Sequence, residues 1–147
     1  MVRLVRGAKW VYGWVVVNAG REIPIPPEAW RAYGFQVGLE AAFVRGSRTS
    51  GGFAICTYSL AVTARARMGG AGLPEIGRSE FGDMQVRLPP QVALATGGRL
   101  LAVHGSCYGL SFVTRGRIYE EAHGHPEVRV FQLEDGPPAA EEAATRA

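Results

Sequence analysis

Residues 21–27, REIPIPP, return as MQVRLPP at residues 84–90, an offset of 63. Val86 and Leu88 take the places of Ile23 and Ile25, and the Pro-Pro pair returns as Pro89-Pro90. Further on, FVRGSRTSGGFAI (43–55) is answered by AVHGSCYGLSFV (102–113). Each runs an apolar strand into Gly-Ser, crosses a small-residue turn and comes back apolar. The second copy lacks four residues around the helix and two in the hairpin turn, and such losses fall where chains tolerate them. A strand–helix–strand–strand unit has one apolar face and cannot bury it alone. Two copies set about a two-fold axis can close a small barrel, which removes exposed edges.

The first copy reads clearly. KWVYGWVVV (9–17) is β-branched and aromatic, hence a strand, and NAG (18–20) is a turn. The prolines at 24, 26 and 27 confine the next short strand to a sheet edge. Pro27 suits the first turn of a helix over PEAWRAY, and Gly34 suits its end. LEAAFVRG (39–46) and GFAICTY (52–58) are two further strands. Residues 1–60 are therefore the first unit with a basic N-terminal arm, and 61–82, with MGGAGLPE, reads as a linker. The second unit spans 83–117, with QVALATGG as a shortened helix. Residues 118–135 carry a helical turn, IYEEA, and a strand, EVRVFQL; residues 136–147 read as a disordered tail.

The chain of 147 residues is long enough to bury a core without staples. It has no run of 18 apolar residues and no signal-peptide pattern, so a cytoplasmic protein with no membrane partner is expected. Two cysteines, Cys56 and Cys107, make no disulfide framework, and without a CxxC a structural zinc site is not expected. Charge is uneven: residues 1–73 hold nine Arg or Lys against three Glu, residues 74–147 seven Arg against ten acids. That asymmetry suits a polyanion-facing N-terminal half.

EIPIPPEAWRAYGF (22–35) followed by VGLEAAFVRGS resembles the swapped-hairpin domain of AbrB, SpoVT and MazE-like proteins. Ile25-Pro26, Tyr33-Gly34-Phe35 and Val37-Gly38 stand where that family has its Ile-Pro, its Leu-Gly helix exit and its turn into a hairpin. The resemblance covers residues 10–58 well and 83–116 more loosely. It implies a mainly β fold with short helices, in which tandem strand–helix–strand–strand repeats close a small swapped-hairpin, cradle-loop-like barrel within one chain. The Asp-x-x-x-Arg signature of MraZ-like regulators, which also carry two units, is missing. The resemblance further implies a DNA-binding transcriptional regulator, not an enzyme, with double-stranded DNA as partner and no cofactor. Such a chain would be a monomeric pseudo-dimer or a homodimer.

The family's DNA contacts come from bases beside the first strand and on the short helix. Arg21 and Arg31 stand at or near those positions, and Arg87 is the nearby base of the second unit. The matching helix positions there are Ala93 and Leu94, which carry no charge. Arg3, Arg6 and Lys9 recur every three residues ahead of the first strand, as in a basic arm laid along a groove. Trp10, Trp14 and Trp30 fit core positions better than stacking platforms.

Other chemistry is thin. HGSC places His104 three residues before Cys107, but RGSR fills the same turn of the first copy with neither residue, and nothing orients the imidazole. HGHP offers His123 and His125, with Glu120 or Glu121 as a third ligand, a weak metal pattern. MGGAG lacks the Lys-Ser/Thr of a phosphate loop. Two other readings stay open: a protein-interaction or assembly module on the same barrel with DNA binding lost, suggested by the acidic segment 118–147, and a small-molecule barrel.

Overall fold

The computed structural model describes residues 1–4, 9–67, 75–105 and 109–134. Nine strands and three short helices follow one another as β1 (Val11–Val16), β2 (Glu22–Pro24), α1 (Pro27–Ala32), β3 (Glu40–Arg45), β4 (Phe53–Thr57), α2 (Tyr58–Arg67), β5 (Glu75–Gly82), β6 (Gln85–Arg87), β7 (Arg99–His104), β8 (Leu110–Val113), α3 (Arg117–Ala122) and β9 (Val130–Phe131). The strands run side by side in the order β2-β6-β5-β3-β4-β8-β7-β1-β9 and curl into a nearly closed barrel.

Alternation along the strands sorts side chains to the two faces. Ala41 and Phe43 of β3, Leu100 and Ala102 of β7, and Leu110 and Phe112 of β8 fill the interior with Ile23, Ile25, Ile55 and Phe81. Burying each large apolar side chain there contributes roughly 2 kcal/mol. The outer faces are covered as well. Leu101 and Val103 of β7 pack with Val11, Trp14 and Val113 against Ala122 of α3. Ala42 of β3 and Cys56 of β4 pack against Ala61 of α2. Both faces of β7 are dry, so RLLAVH reads as a continuous apolar run rather than an alternation.

The two halves of the chain interleave. β1 pairs with β7, Trp14 facing Leu101, and β3 pairs with β5, Ala42 facing Arg78. β2 pairs with β6, Ile23 facing Val86, and β4 pairs with β8, Ala54 facing Ser111. Two backbone links bracket the β2–β6 pair: Ile25 N–H donates to Met84 O, and Leu88 N–H to Arg21 O, both at 2.8 Å. Arg21 (φ 59°) and Met84 (φ 52°) are the non-glycine residues with positive φ among those described. A bulge interrupts β1 between Val11 and Gly13, and another interrupts the β3–β5 ladder between Phe43 and Val44. Gly13 sits at φ 150°, and a Cβ there would lie 2.7 Å from both Arg129 O and Phe131 Cε2. Its bare backbone lets β9 lie parallel against β1.

Three expectations change. Residues 61–82, read as a linker, carry most of α2 and all of β5. β5, EIGRSEFG, has little intrinsic strand preference and is held by pairing with β3 on one side and β6 on the other. The shortened helix over 91–98 is a chain of turns. The strand within EVRVFQL is only Val130–Phe131. Arg6, Cys107 and the tail 136–147 lie outside the described residues. No helix among the described residues is long and apolar enough to cross a membrane.

Candidate nucleic-acid interface

The N-terminal residues fold back on the barrel. Val2 and Val11 exchange backbone hydrogen bonds of 2.9 and 2.6 Å. The terminal amine donates to Glu28 Oε1 at 2.8 Å, which ties residue 1 to α1. Arg3 then stacks over the Trp10 ring, 4.4 Å from its centroid. Trp10 is 40 % exposed, so the stacked pair sits on the surface.

α1 starts at Pro27, whose missing N–H costs nothing at a first turn, and ends before Gly34 (φ 68°). It turns Ala29 into the core and leaves Arg31 exposed. Trp30 meets Phe35 and Phe81 edge-on at 5.9 and 5.8 Å, which fixes the helix on the barrel. Arg31 lines a cleft of about 260 Å³ together with Met1, Tyr12, Glu28, Arg129 and Phe131. The Arg129 guanidinium stacks over Phe131 at 4.9 Å. Arg129 was not among the sequence candidates. Its signal was the charge inside the alternating EVRVFQL, but only the β1–β9 pairing brings it beside α1.

The other candidates are placed differently. The Arg21 guanidinium donates to three carbonyls of the second half: Leu94 O at 3.1 Å, Pro89 O at 3.3 Å, and Val92 O. It holds the 89–94 turn together and has little left to offer a phosphate. Arg87 is exposed and pairs with Glu22 at 3.5 Å. Lys9 is exposed and lies away from α1, in a second basic cleft with Arg115 and Arg117. The structure thus gathers Arg31, Arg129 and the terminal amine at one cleft and leaves Arg3 exposed on the stretch that the amine ties to α1. It separates Lys9 and commits Arg21 to internal hydrogen bonds.

Behind α1 the rings of Tyr12, Tyr33 and His104 cluster. The Tyr12 and Tyr33 hydroxyls share hydrogen bonds with His104 Nδ1 at 3.3 and 3.2 Å, and Gly105 N–H donates to Tyr33 Oη at 3.3 Å. Burial, helped by the Glu28 charge, pushes the Tyr12 hydroxyl above its ordinary range. The arrangement braces the β7 end against α1. The Cys56 thiol lies in the outer-face cluster under α2, and burial pushes it up to about 11. His125 lies between Glu127 (2.8 Å) and Glu121 (3.0 Å), while His123 packs its ring against Trp14 at 4.9 Å. Among the described residues no cluster of ligating side chains has a metal-binding arrangement.

No family model matches the chain, and neither the curated proteins nor the solved structures hold a match to it.

Proposed function

We propose that the chain is a tandem swapped-hairpin barrel of the AbrB/SpoVT kind, and that it binds double-stranded DNA as a transcriptional regulator. The register of the sheet carries this reading. β5 follows β1 at an offset of 64: the pair Trp14–Leu101 then corresponds to Arg78–Ala42, Val15–Leu100 to Ser79–Ala41, and Val16–Arg99 to Glu80–Glu40. β7 follows β3 at 59 in the same pairs. β6 follows β2 at 63 and β8 follows β4 at 57, so Ile23 faces its own counterpart Val86, and Ala54 faces Ser111. The falls from 63 to 59 and from 59 to 57 match the four and two residues lost from the second copy. The reciprocal hydrogen bonds of Ile25 with Met84 and of Leu88 with Arg21 obey the same relation. So do the two positive-φ residues and the two bulges. Such a molecule is a dimer-like barrel in one chain.

The DNA face is Arg31, Arg129 and Arg3, with Arg6, outside the described residues, as the fourth contact expected from the arm; Lys9 stands apart in the second basic cleft. Arg31 makes no ion pair among the described residues, so its charge is free for a phosphate. Fluorescence anisotropy with a labelled random duplex tests the reading. With about four phosphate contacts, affinity should fall about a hundredfold between about 50 and about 200 mM salt. Arg31→Ala with Arg129→Ala should lower the slope of log affinity against log salt by about two. No binding at the lower salt, or a double variant indistinguishable from wild type, sinks it.

A second reading is an interaction or assembly module on the same barrel. It draws on Arg21, spent on the 89–94 turn, on Arg87, paired with Glu22, and on the uncharged Ala93 and Leu94. Absence of duplex binding together with one stoichiometric partner that survives nuclease treatment would favour it.

A further inference from the structure

The second basic cleft lies apart from α1. It measures about 480 Å³ and opens between the β3–β4 turn and the segment that joins β8 to α3. That volume falls within the range of small-molecule sites. Lys9, Arg115 and Arg117 bring three positive charges to it, and Ser50, Thr49 and Ser111 bring hydroxyls. Among the described residues no Asp or Glu lines it. Val103, Val113 and Ile118 supply an apolar wall.

The cleft is braced before any ligand arrives. Thr114 N–H and Arg115 N–H both donate to Ser50 O, at 2.9 and 3.1 Å, which stitches the two walls together. Arg115 Nε and Nη2 donate to Arg48 O at 3.2 and 2.8 Å. The turn itself is closed by Ser47 Oγ, 2.5 Å from Ser50 Oγ and 3.2 Å from Thr49 Oγ1. Lys9 and Arg117 make no ion pair among the described residues. Three cations facing one space with no carboxylate repel one another, and a bound anion relieves that repulsion. Arginine forks and hydroxyls match the oxygens of a phosphate, and the surplus of cations suits a dianion over a carboxylate.

We propose that this cleft binds a phosphomonoester of a small molecule, its phosphate held by Lys9, Arg115 and Arg117 and its apolar body laid against Val103, Val113 and Ile118. A concave pocket lined on one wall by apolar side chains suits a free ligand better than the phosphodiester backbone of a duplex.

Calorimetric titration of the full chain with AMP, inorganic phosphate and adenosine tests this. AMP should bind saturably at one site, inorganic phosphate should compete with it, and adenosine alone should bind at least tenfold more weakly. Arg117→Gln should weaken AMP about tenfold, and Ser111→Ala severalfold, with thermal unfolding unchanged in both. Arg117→Lys should restore part of the loss. Three results would overturn the proposal: no saturable AMP binding, adenosine binding as tightly as AMP, or AMP binding indifferent to Arg117→Gln. Loss of duplex affinity in Arg117→Gln without any AMP binding would assign the cleft to backbone phosphates instead. AMP binding retained in Arg31→Ala/Arg129→Ala, with duplex binding lost, separates the two sites.

Discussion

Arg21 shows how a single side chain can answer a different question from the one its position in the sequence raises. Its place beside the first unit's edge strand suggests a phosphate contact; its guanidinium instead satisfies carbonyls of a turn more than sixty residues away. Arg21→Met removes those donors and leaves partly buried carbonyls unpaired, so urea denaturation should show a loss of about 1–3 kcal/mol. Arg31→Gln, at an exposed position with no ion pair among the described residues, should stay within about 0.5 kcal/mol of wild type in the same assay. Equal effects in the two variants would contradict the division of labour drawn between them. His125 gives a residue-scale pH effect. Hydrogen bonds to Glu127 and then Glu121 raise its pKa above the ordinary 6.5. The group is raised in the folded state, so its stabilisation is complete below about 6.5 and is lost as pH climbs through the higher folded value. An NMR titration of the ring protons should place the midpoint above 6.5, and Glu127→Gln should bring it down; a midpoint at or below 6.5 contradicts the assigned contacts.

At the scale of elements, the parts legible in the sequence are those whose local chemistry agrees with their final state. Val-rich β1, proline-led α1 and the two hairpins β3–β4 and β7–β8 each announce themselves by β-branched runs, turn residues or a helix-starting Pro. β5 and α2 do not. β5 carries two glycines and three charged residues, and only its neighbours make it a strand. α2 has no apolar stripe; beyond Tyr58 at its start, it touches the barrel through a small residue, Ala61, set against Ala42 and Cys56. The basic cleft beside α1 was half legible, since Arg31 could be placed from the helix but Arg129 depends on a two-residue parallel pairing. Small-residue contact makes α2 sensitive to bulk. Ala61→Leu should force the helix off the sheet and cost about 1–3 kcal/mol, measured by thermal or urea unfolding. It should also expose Cys56: the native thiol, held up to about 11, should react with a disulfide reagent only at the rate of unfolding, and the variant faster. A neutral Ala61→Leu would mean that α2 is not packed as described.

The whole molecule is constrained most by its interleaving. A strand of the first half, β1, is completed by β7 of the second, and β5 of the second half is completed by β3 of the first. The three remaining cross-half contacts, β2 with β6, β4 with β8 and β1 with β9, also join one half to the other. Only the hairpins β3–β4, β5–β6 and β7–β8 stay within a half, so neither half can bury Phe43, Phe53 or Phe112 alone. An isolated half then has three courses: remain unfolded, pair with a second copy of itself, or wait for the other half. Cutting the chain between Arg67 and Glu75, where α2 ends and β5 begins, tests this directly. The fragments should be unfolded or self-associated when separate, and on mixing should form a one-to-one complex with the circular dichroism and cooperative unfolding of the intact chain. The complex should melt lower at micromolar concentration, because joining the halves no longer benefits from a high effective concentration. Its melting temperature should also rise with protein concentration, as it does for any obligate dimer. A first-half fragment that unfolds cooperatively as a monomer would show that each half has a core of its own, and the interleaved barrel would fail with it.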